Sequence, residues 1–330
     1  MYIKTRFVLK DFYFNEIGSF SLQKFLSRYL GGGCCLEESR TVTRYMLGLS
    51  ACNDSYSSPY ATALNIQINK YSEAVKLLNK SQSLDSLKTA NKLLTHNASG
   101  SFRTVDSWIG PSQKRAIYVP PPASELDRHL ALLNAYIKES TESKAVKAIN
   151  SSCTLLQIHP FEDGNGRVAR ALYEGMSHEN NISCIAFSLY RFAVPQKKYI
   201  NFLQSVDIGC FNYHEMEFYI EAMEWISMFK KEFYEILNFY RKKIESKIFL
   251  YQLTPQDLDV ILLLWGTPVL DESTIRKTGI ESSSFNKLFE LGLIGIQTLT
   301  DKKSPIYISK DILDFWNSVD NIITGINKIK

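Results

Sequence analysis

The sequence predicts a mainly α-helical protein that ends in a smaller module of helices and strands. Apolar residues recur at helical spacing through most of residues 1–250, with polar breaks between the segments. Near Thr254 and Pro255 this pattern changes, and two short runs typical of strands follow Gly292. With 330 residues, 45% of them hydrophobic and 22% charged, the chain has the composition of a folded protein of about two domains.

The helical part contains several clear amphipathic segments. Residues 71–78 and 126–133 place apolar side chains on one face of a helix. A longer helix is predicted to begin near Phe218 and to reach toward Ile248. Its aromatic residues are expected to pack against other helices.

A short loop is predicted between two helices after residue 158. Apolar residues at helical spacing in 145–158 predict a largely buried helix, and Pro160 disfavours helical geometry at the residue before it. From Arg167 onward the composition is helical again. We therefore expect the loop to end at a helix N-terminus, where N–H groups and the helix dipole attract anions.

This loop contains residues that suit a polyphosphate. Gly164 and Gly166 can adopt backbone angles that turn successive N–H groups toward one point. Arg167 and Arg170 are three residues apart and share a helix face, where two guanidinium groups can bind phosphate oxygens. Asp163 is a candidate Mg²⁺ ligand, because this ion usually binds through one or two carboxylates and phosphate oxygens.

His159 is the candidate base of this site. An imidazole has a pKa of about 6.5, so His159 can take up a proton near neutral pH. Phe161 is the exception among the loop residues and is expected to anchor the loop in the core. Taken singly, a histidine at a helix end, a Gly-Asn-Gly turn or an Arg-x-x-Arg pair is more often structural. Their combination in this order favours a functional site.

Residues 159–170 resemble the His-x-Phe-x-Asp/Glu-Gly-Asn-Gly-Arg-x-x-Arg signature of Fic-domain proteins, with every fixed position present. Residues 100–110 and 118–122 are similar to the segments that lead into and out of this family's target-binding hairpin, the flap. Residues 199–203 resemble a helix that closes the nucleotide pocket. The resemblance covers roughly residues 35–230 and implies a Fic-type helical bundle with a small β-hairpin.

The resemblance implies protein adenylylation, in which AMP moves from ATP to a Ser, Thr or Tyr hydroxyl and pyrophosphate leaves. The acceptor is a target protein or the enzyme itself. By the same resemblance, His159 is the general base and Asp163 holds the Mg²⁺. The resemblance assigns the other nucleotide contacts to the backbone of Gly164, Asn165 and Gly166, to Arg167 near the β-phosphate, to Arg170 at the γ-phosphate and to Tyr199 beside the adenine. A core position is an equally open interpretation of Tyr199.

Two other functions stay open at this point. One is a transferase of the same fold that uses another nucleotide or another phosphate-containing group. The other is a nucleotide-sensing regulator that binds nucleic acid through its C-terminal module.

The flap is also predicted from the residues themselves. Residues 114–119 lie between Gly110 and Pro120, and we expect a short hairpin with an available edge at about residues 110–120. An extended segment of a target protein can pair with such an edge through backbone hydrogen bonds, which would bring a target hydroxyl to His159. ATP and a flap-bound target protein are therefore the expected partners.

The sequence departs from many members of this family in one respect. These members silence themselves with a Ser/Thr-x-x-x-Glu-Gly/Asn helix whose glutamate pairs with the second arginine of the signature. Only Glu174 and Glu179 precede Gly or Asn here, and the residues four positions earlier are Arg170 and Gly175. We hypothesise that the isolated protein is active, or that a homodimer or a separate inhibitory protein restrains it.

The end of the chain predicts a winged-helix module at residues 254–330, because a helix–turn–helix is followed by a hairpin. Residues 254–320 hold six basic and ten acidic side chains, a net charge of −4, so the rest of the +4 chain carries +8. The expected recognition helix, residues 282–291, offers one Lys and one Glu. Since phosphate neutralisation supplies most non-specific DNA affinity, DNA is an unlikely partner, and protein docking or dimerisation is favoured.

We predict a helical region at residues 1–95 that packs on the core, a catalytic domain at 96–250 and the module at 254–330. The first residues are charged, and no run of about 20 apolar residues occurs, so neither a secretory signal nor a membrane span is expected. Six cysteines without disulfide or zinc spacing favour a reducing cytoplasm.

Overall fold

The computed structural model describes residues 44–52, 59–95, 99–177, 213–266, 268–298 and 305–325. These ranges are mainly helical and include one small sheet, which confirms the predicted mainly α fold. The helices are α1 (Arg44–Cys52), α2 (Pro59–Lys80), α3 (Leu84–Leu94), α4 (Leu126–Glu139), α5 (Lys144–Ile158), α6 (Asn165–Ser177), α7 (Tyr213–Tyr251), α8 (Pro255–Gly266), α9 (Glu272–Thr278), α10 (Ser282–Glu290) and α11 (Lys310–Gly325). The strands are β1 (Val269–Asp271), β2 (Gly295–Gln297) and β3 (Ile306–Ile308), and short 3-10 turns lie at Gln113–Arg115 and Ala123–Glu125.

The described residues divide into two compact units. One unit contains the described residues of 44–66 and 228–325, and the other contains those of 67–227. The domain boundaries predicted from the sequence at residues 95 and 250 stay a prediction.

The unit formed by residues 67–227 is built on the helix pair α5 and α6. These two helices pack against each other along their lengths, and α3 and α4 pack on α6 and α5 respectively. Ser143 caps the start of α5 by accepting a hydrogen bond from Val146 N. Gly175 allows α6 to approach the end of α2 closely, because a Cβ at this position would lie 2.8 Å from the carbonyl carbon of Leu78. The predicted functional loop therefore connects the two central helices of this unit.

The other unit joins α1 and the C-terminal part of the chain. Helix α1 packs on β1 and α11, and its Gly48 leaves room for Val269, which a Cβ would approach to 2.6 Å. Leu49, Val269 and Ile306 form a buried cluster at this contact. Asp311 of α11 also accepts hydrogen bonds from Lys243 and Lys247 of α7, at 2.7 and 2.8 Å.

The C-terminal module has the element order α8, β1, α9, α10, β2, β3. The predicted helix–turn–helix followed by a hairpin is present as α9, α10 and the strands β2 and β3. The sheet order is β1-β3-β2, both pairs are antiparallel, and Tyr307 lies between Leu270 and Ile296. Strand β1 was not predicted, because three residues are too few to show an alternating pattern. This order agrees with a winged helix, which remains an interpretation.

Helix α7 is 39 residues long and confirms the long helix predicted near residues 218–248. Charged residues recur along the whole sequence of this helix. Within the described ranges, no helix combines the length and the apolar character needed to cross a membrane.

Candidate active site between α5 and α6

His159 ends helix α5 at the start of the functional loop. Its N–H donates to Leu155 O at 3.0 Å, and its backbone turns into the left-handed region with a φ of 49°. Burial of the imidazole lowers the pKa of His159 below 6.5, and the positive charge of Arg103 adds to this effect. A main-chain hydrogen bond at Leu156 and the charge of Asp163 act in the opposite direction. The imidazole is therefore neutral near pH 7 and can accept a proton.

The side chain of Asn165 closes the loop. Its Oδ1 accepts from Phe161 N at 2.9 Å, and its Nδ2 donates to Phe161 O at 2.7 Å. Phe161 is fully buried and packs on Phe102, with ring centroids 5.2 Å apart. These contacts confirm the predicted anchoring role of Phe161. They also give the Asn165 side chain a structural role. The resemblance implied a role in nucleotide binding for its backbone only.

The two glycines of the loop differ in conformation. Gly164 has a φ of 84°, and its carbonyl accepts the hydrogen bond from Val168 N at 2.9 Å that begins the α6 ladder. Gly166 lies in the first turn of α6, so the backbone freedom expected of it is not used. The N–H groups of residues 165–167 belong to the first turn of a helix, where they have no acceptors within the helix. A helix N-terminus, where free N–H groups attract anions in general, therefore directly follows the loop.

Asp163 and Arg167 form an ion pair at the entrance of α6. Arg167 Nη2 lies 2.7 Å from Asp163 Oδ2, and Gly164 N donates to Oδ1 of the same carboxylate at 2.6 Å. The Asp163 side chain is 68% exposed, whereas that of Arg167 is buried and also donates to Leu94 O. Asn91 Nδ2 holds the main chain of Asp163 from α3 at 2.8 Å. These contacts fix the carboxylate while leaving it open to solvent.

The donor set at Asp163 fits a Mg²⁺ ion that is held mainly by a nucleotide. Mg²⁺ often takes one or two protein carboxylates and fills its other positions with phosphate oxygens and water. Asp163 supplies one exposed carboxylate next to the α6 N-terminus. Among the described residues, no group of three or more His, Cys, Asp or Glu side chains could hold a metal ion by itself.

Arg170 lies one turn further along α6, beside a buried carboxyl of the same helix. Glu174 interacts electrostatically with Arg170 and accepts a hydrogen bond from the Tyr71 hydroxyl of α2 at 2.8 Å. Burial raises the pKa of Glu174 to about 7, although both neighbours lower it. Burial also raises the pKa of Tyr71 well above 10. The interaction between Glu174 and Arg170 could be expected from the sequence, because residues four apart are neighbours on a helix. No sequence signal indicates that Tyr71 joins them.

The flap is smaller than the predicted hairpin. It has one antiparallel bridge between Ile109 and Tyr118, and the 3-10 turn Gln113–Arg115 lies at its tip. Ile109 N donates to Tyr118 O at 2.8 Å, and Ile117 N donates to Ile109 O at 2.7 Å. The side chains of Trp108 and Val119 are exposed. The flap therefore presents apolar side chains and a short extended edge to solvent.

Comparison with known proteins agrees with this geometry. Residues 81–176 match the model of the Fic/DOC family. This stretch of the chain is therefore similar to a Fic/DOC domain. Members of this family generally transfer nucleotides or other phosphate-containing groups onto proteins.

Two solved structures of such proteins are similar to this chain. A Fic family protein from Desulfovibrio desulfuricans G20 shares 16% identity, with a TM-score of 0.46 and 87% of each chain covered. A Fic domain containing signaling protein from Bacteroides thetaiotaomicron VPI-5482 also shares 16% identity, with a TM-score of 0.39 and 61% of this chain and 75% of that chain covered. Because both TM-scores are below 0.5, neither likeness supports a functional conclusion. No curated protein matches the chain.

The fold brings most of the predicted site residues together. His159 and Asp163 lie on the loop, Gly164 ends it, and the two arginines lie on the first two turns of α6. Tyr199 lies outside the described residues. The guanidinium group of Arg103 donates to the main-chain carbonyl of His159 at 2.9 Å. No sequence signal predicted this contact, because the two residues are 56 positions apart.

Proposed function

We propose that this protein is a Mg²⁺-dependent protein adenylyltransferase that moves AMP from ATP to a protein hydroxyl. The observation that supports the proposal is the spacing of one base and one anion site around a single loop. His159 ends α5, and the N-terminus of α6 begins only six residues later. The proposed reaction requires a phosphate bound at that N-terminus to lie within reach of the imidazole.

The proposed reaction uses the residues as follows. Neutral His159 accepts the proton of the target hydroxyl as its oxygen forms a bond to the α-phosphorus. The bond between the α-phosphorus and the bridging oxygen breaks, and pyrophosphate leaves with the electron pair. The first turn of α6, Arg167 and Arg170 stabilise the negative charge of the phosphates. Asp163 would hold Mg²⁺, which when bound supplies further positive charge against the phosphates.

Two substitutions test the proposal. His159→Ala should reduce transfer from α-labelled ATP by about a hundredfold or more, because it removes the base, while ATP binding persists. Arg170→Ala should instead weaken ATP binding, because it removes a charge from the phosphate site. His129→Ala is the matched control, since His129 lies on α4 and faces Glu125 at 3.4 Å. Normal AMP transfer by His159→Ala would contradict the mechanism.

The purified wild-type protein gives a second test, of the hypothesis that the isolated protein is active or is restrained by a partner or by self-association. We expect incubation with labelled ATP and Mg²⁺ to label the chain itself or an added protein. A protein that becomes active only after a substitution elsewhere would contradict the proposal that restraint comes from a partner or from self-association. Parallel incubations with labelled UTP, GTP and CTP would identify a transferase that uses another nucleotide.

For the C-terminal module we propose protein docking or dimerisation. The single lysine of α10, Lys287, binds Asp257 of α8 at 2.5 Å, and Asp257 is buried. This ion pair occupies the basic group that DNA would need on the expected recognition helix. Phe289 of the same helix is 45% exposed and suits a protein surface better. Binding of duplex DNA at low salt would favour the nucleic-acid alternative.

A further inference from the structure

Three successive carbonyl groups at the end of α5 accept hydrogen bonds from side chains of the flap and its base. The Tyr118 hydroxyl donates to Gln157 O at 2.8 Å. Arg103 donates to Ile158 O at 3.4 Å through Nη2 and to His159 O at 2.9 Å through Nε. The last carbonyls of a helix have no donors within the helix. The side chains of Arg103 and Tyr118 therefore supply donors to these carbonyl groups at the end of α5, where His159 lies.

The same guanidinium group also reaches both ends of the flap. Arg103 Nη1 donates to Val105 O at 3.0 Å, and Nη2 donates to Pro121 O at 2.5 Å. Only 3% of Arg103 is exposed, and its main-chain N–H donates to Pro160 O at 2.8 Å. The donors of a guanidinium group lie in one rigid plane. A shift of the flap relative to His159 would therefore break several hydrogen bonds at once.

The backbone of His159 requires such support. A residue with a side chain pays about 1 kcal/mol or more for a left-handed conformation, and His159 has a φ of 49°. Arg103 holds the carbonyl group of this residue. Its positive charge also lies at the C-terminus of α5, where the helix dipole favours a cation.

We propose that Arg103 and Tyr118, together called the flap clamp, are positioning residues that hold the flap in register with His159. The clamp thereby sets where a flap-bound target hydroxyl meets the base. This inference rests on the transferase function proposed above. It assigns no role to the clamp in binding the nucleotide, because neither clamp side chain belongs to the loop or to α6.

Tyr118→Phe and Arg103→Lys test the clamp at two levels of severity. Tyr118→Phe removes one hydroxyl and keeps the ring, whereas Arg103→Lys keeps the charge but cannot span the same set of carbonyls. Tyr136→Phe is the matched control. The Tyr136 hydroxyl accepts a hydrogen bond at 3.0 Å from Asn150, which lies on α5 seven residues before Gln157.

The first measurement is amide hydrogen exchange at Ile109, Ile117 and Tyr118, whose N–H groups form the flap bridge. Loss of one hydrogen bond of about 1 kcal/mol should speed local opening of the flap roughly fivefold in Tyr118→Phe. We expect a larger effect in Arg103→Lys and none in Tyr136→Phe. Unchanged exchange in both clamp variants would overturn the proposal.

The second measurement compares AMP transfer to protein with the dissociation constant of ATP. Both clamp variants should transfer AMP more slowly, roughly fivefold or more, while ATP affinity stays at the wild-type value. A parallel loss of ATP affinity would indicate general damage to the fold and would overturn the positioning role. If the wild-type protein transfers no AMP, the proposed function fails, and flap exchange alone then decides whether the clamp holds the flap.

Discussion

Gly164→Ala is expected to damage the loop by two separable effects. The first is backbone strain, because Gly164 has a φ of 84° and alanine pays about 1 kcal/mol for this region. The second is a clash with α3 and the residue after it. A Cβ at position 164 would lie 2.3 Å from Thr95 Cγ2 and 2.9 Å from Asn91 Nδ2. Overpacking of this kind costs about 1–3 kcal/mol, so the total loss in the free energy of unfolding should be about 3 kcal/mol.

The clash can be relieved without touching the loop. Thr95→Ser removes the methyl group that the new Cβ would meet, and a serine hydroxyl can keep the hydrogen bond to Asn91 O, now 2.8 Å long. The double variant should recover about 1 kcal/mol or more relative to the sum of the two single variants. The backbone strain and the contact with Asn91 should persist, so the recovery is incomplete.

Urea denaturation of the four proteins in this cycle measures the free energies, with exchange of α6 amides as a local readout. Gly292→Ala is the matched control, because its φ is 65° and a Cβ there would meet nothing within 4 Å. It should show the strain alone, about 1 kcal/mol. Equal losses in Gly164→Ala and Gly292→Ala, or strict additivity with Thr95→Ser, would refute the reasoning.

Three further predictions concern ionisable groups. The pKa of Glu174 rises from 4.5 to about 7 on folding, so its contribution to stability is full below pH 4.5 and is lost as the pH rises through 7. Between pH 4.5 and 7, the free energy of unfolding of Glu174→Gln should therefore rise by about 3 kcal/mol relative to that of the wild type. Urea titrations at several pH values measure this, and a difference that stays constant with pH would contradict it. If His159 is the neutral base of the proposed reaction, AMP transfer should rise with pH along an acid limb whose midpoint is below 6.5. A midpoint above 7 in the rate profile would exclude this role. Lys287→Ala leaves the buried Asp257 carboxylate without its lysine and should destabilise the protein by about 2 kcal/mol in urea, with no change in duplex binding at low salt.

The sequence predicted the parts of the site that depend on local order. The loop between α5 and α6 follows from Pro160, from Gly164 and from the apolar periodicity on both sides. The anchoring of Phe161 followed from its apolar side chain among polar neighbours. The helix–turn–helix and hairpin of the C-terminal module were also predicted, because their turns and strand runs are short-range patterns.

Other features could not be predicted, since they depend on residues that are distant in the chain. Asn165 faces Phe161 only because the loop bends back on itself. Tyr71 and Glu174 form a hydrogen bond although they are 103 residues apart in the sequence, and the spacing of apolar residues cannot predict such a contact. Strand β1 forms because β3 pairs with it, although its three residues carry no strand pattern of their own.

By itself, the sequence determined which chemical groups stand around the loop and that a helix N-terminus follows His159. These are consequences of residue type and of spacing along one chain segment. Only the tertiary structure decided how His159 is held, because the burial that lowers its pKa and the Arg103 guanidinium that fixes its carbonyl come from packing. Burial and hydrogen-bond geometry arise between segments far apart in the sequence. The register between flap and base is therefore a property of the fold.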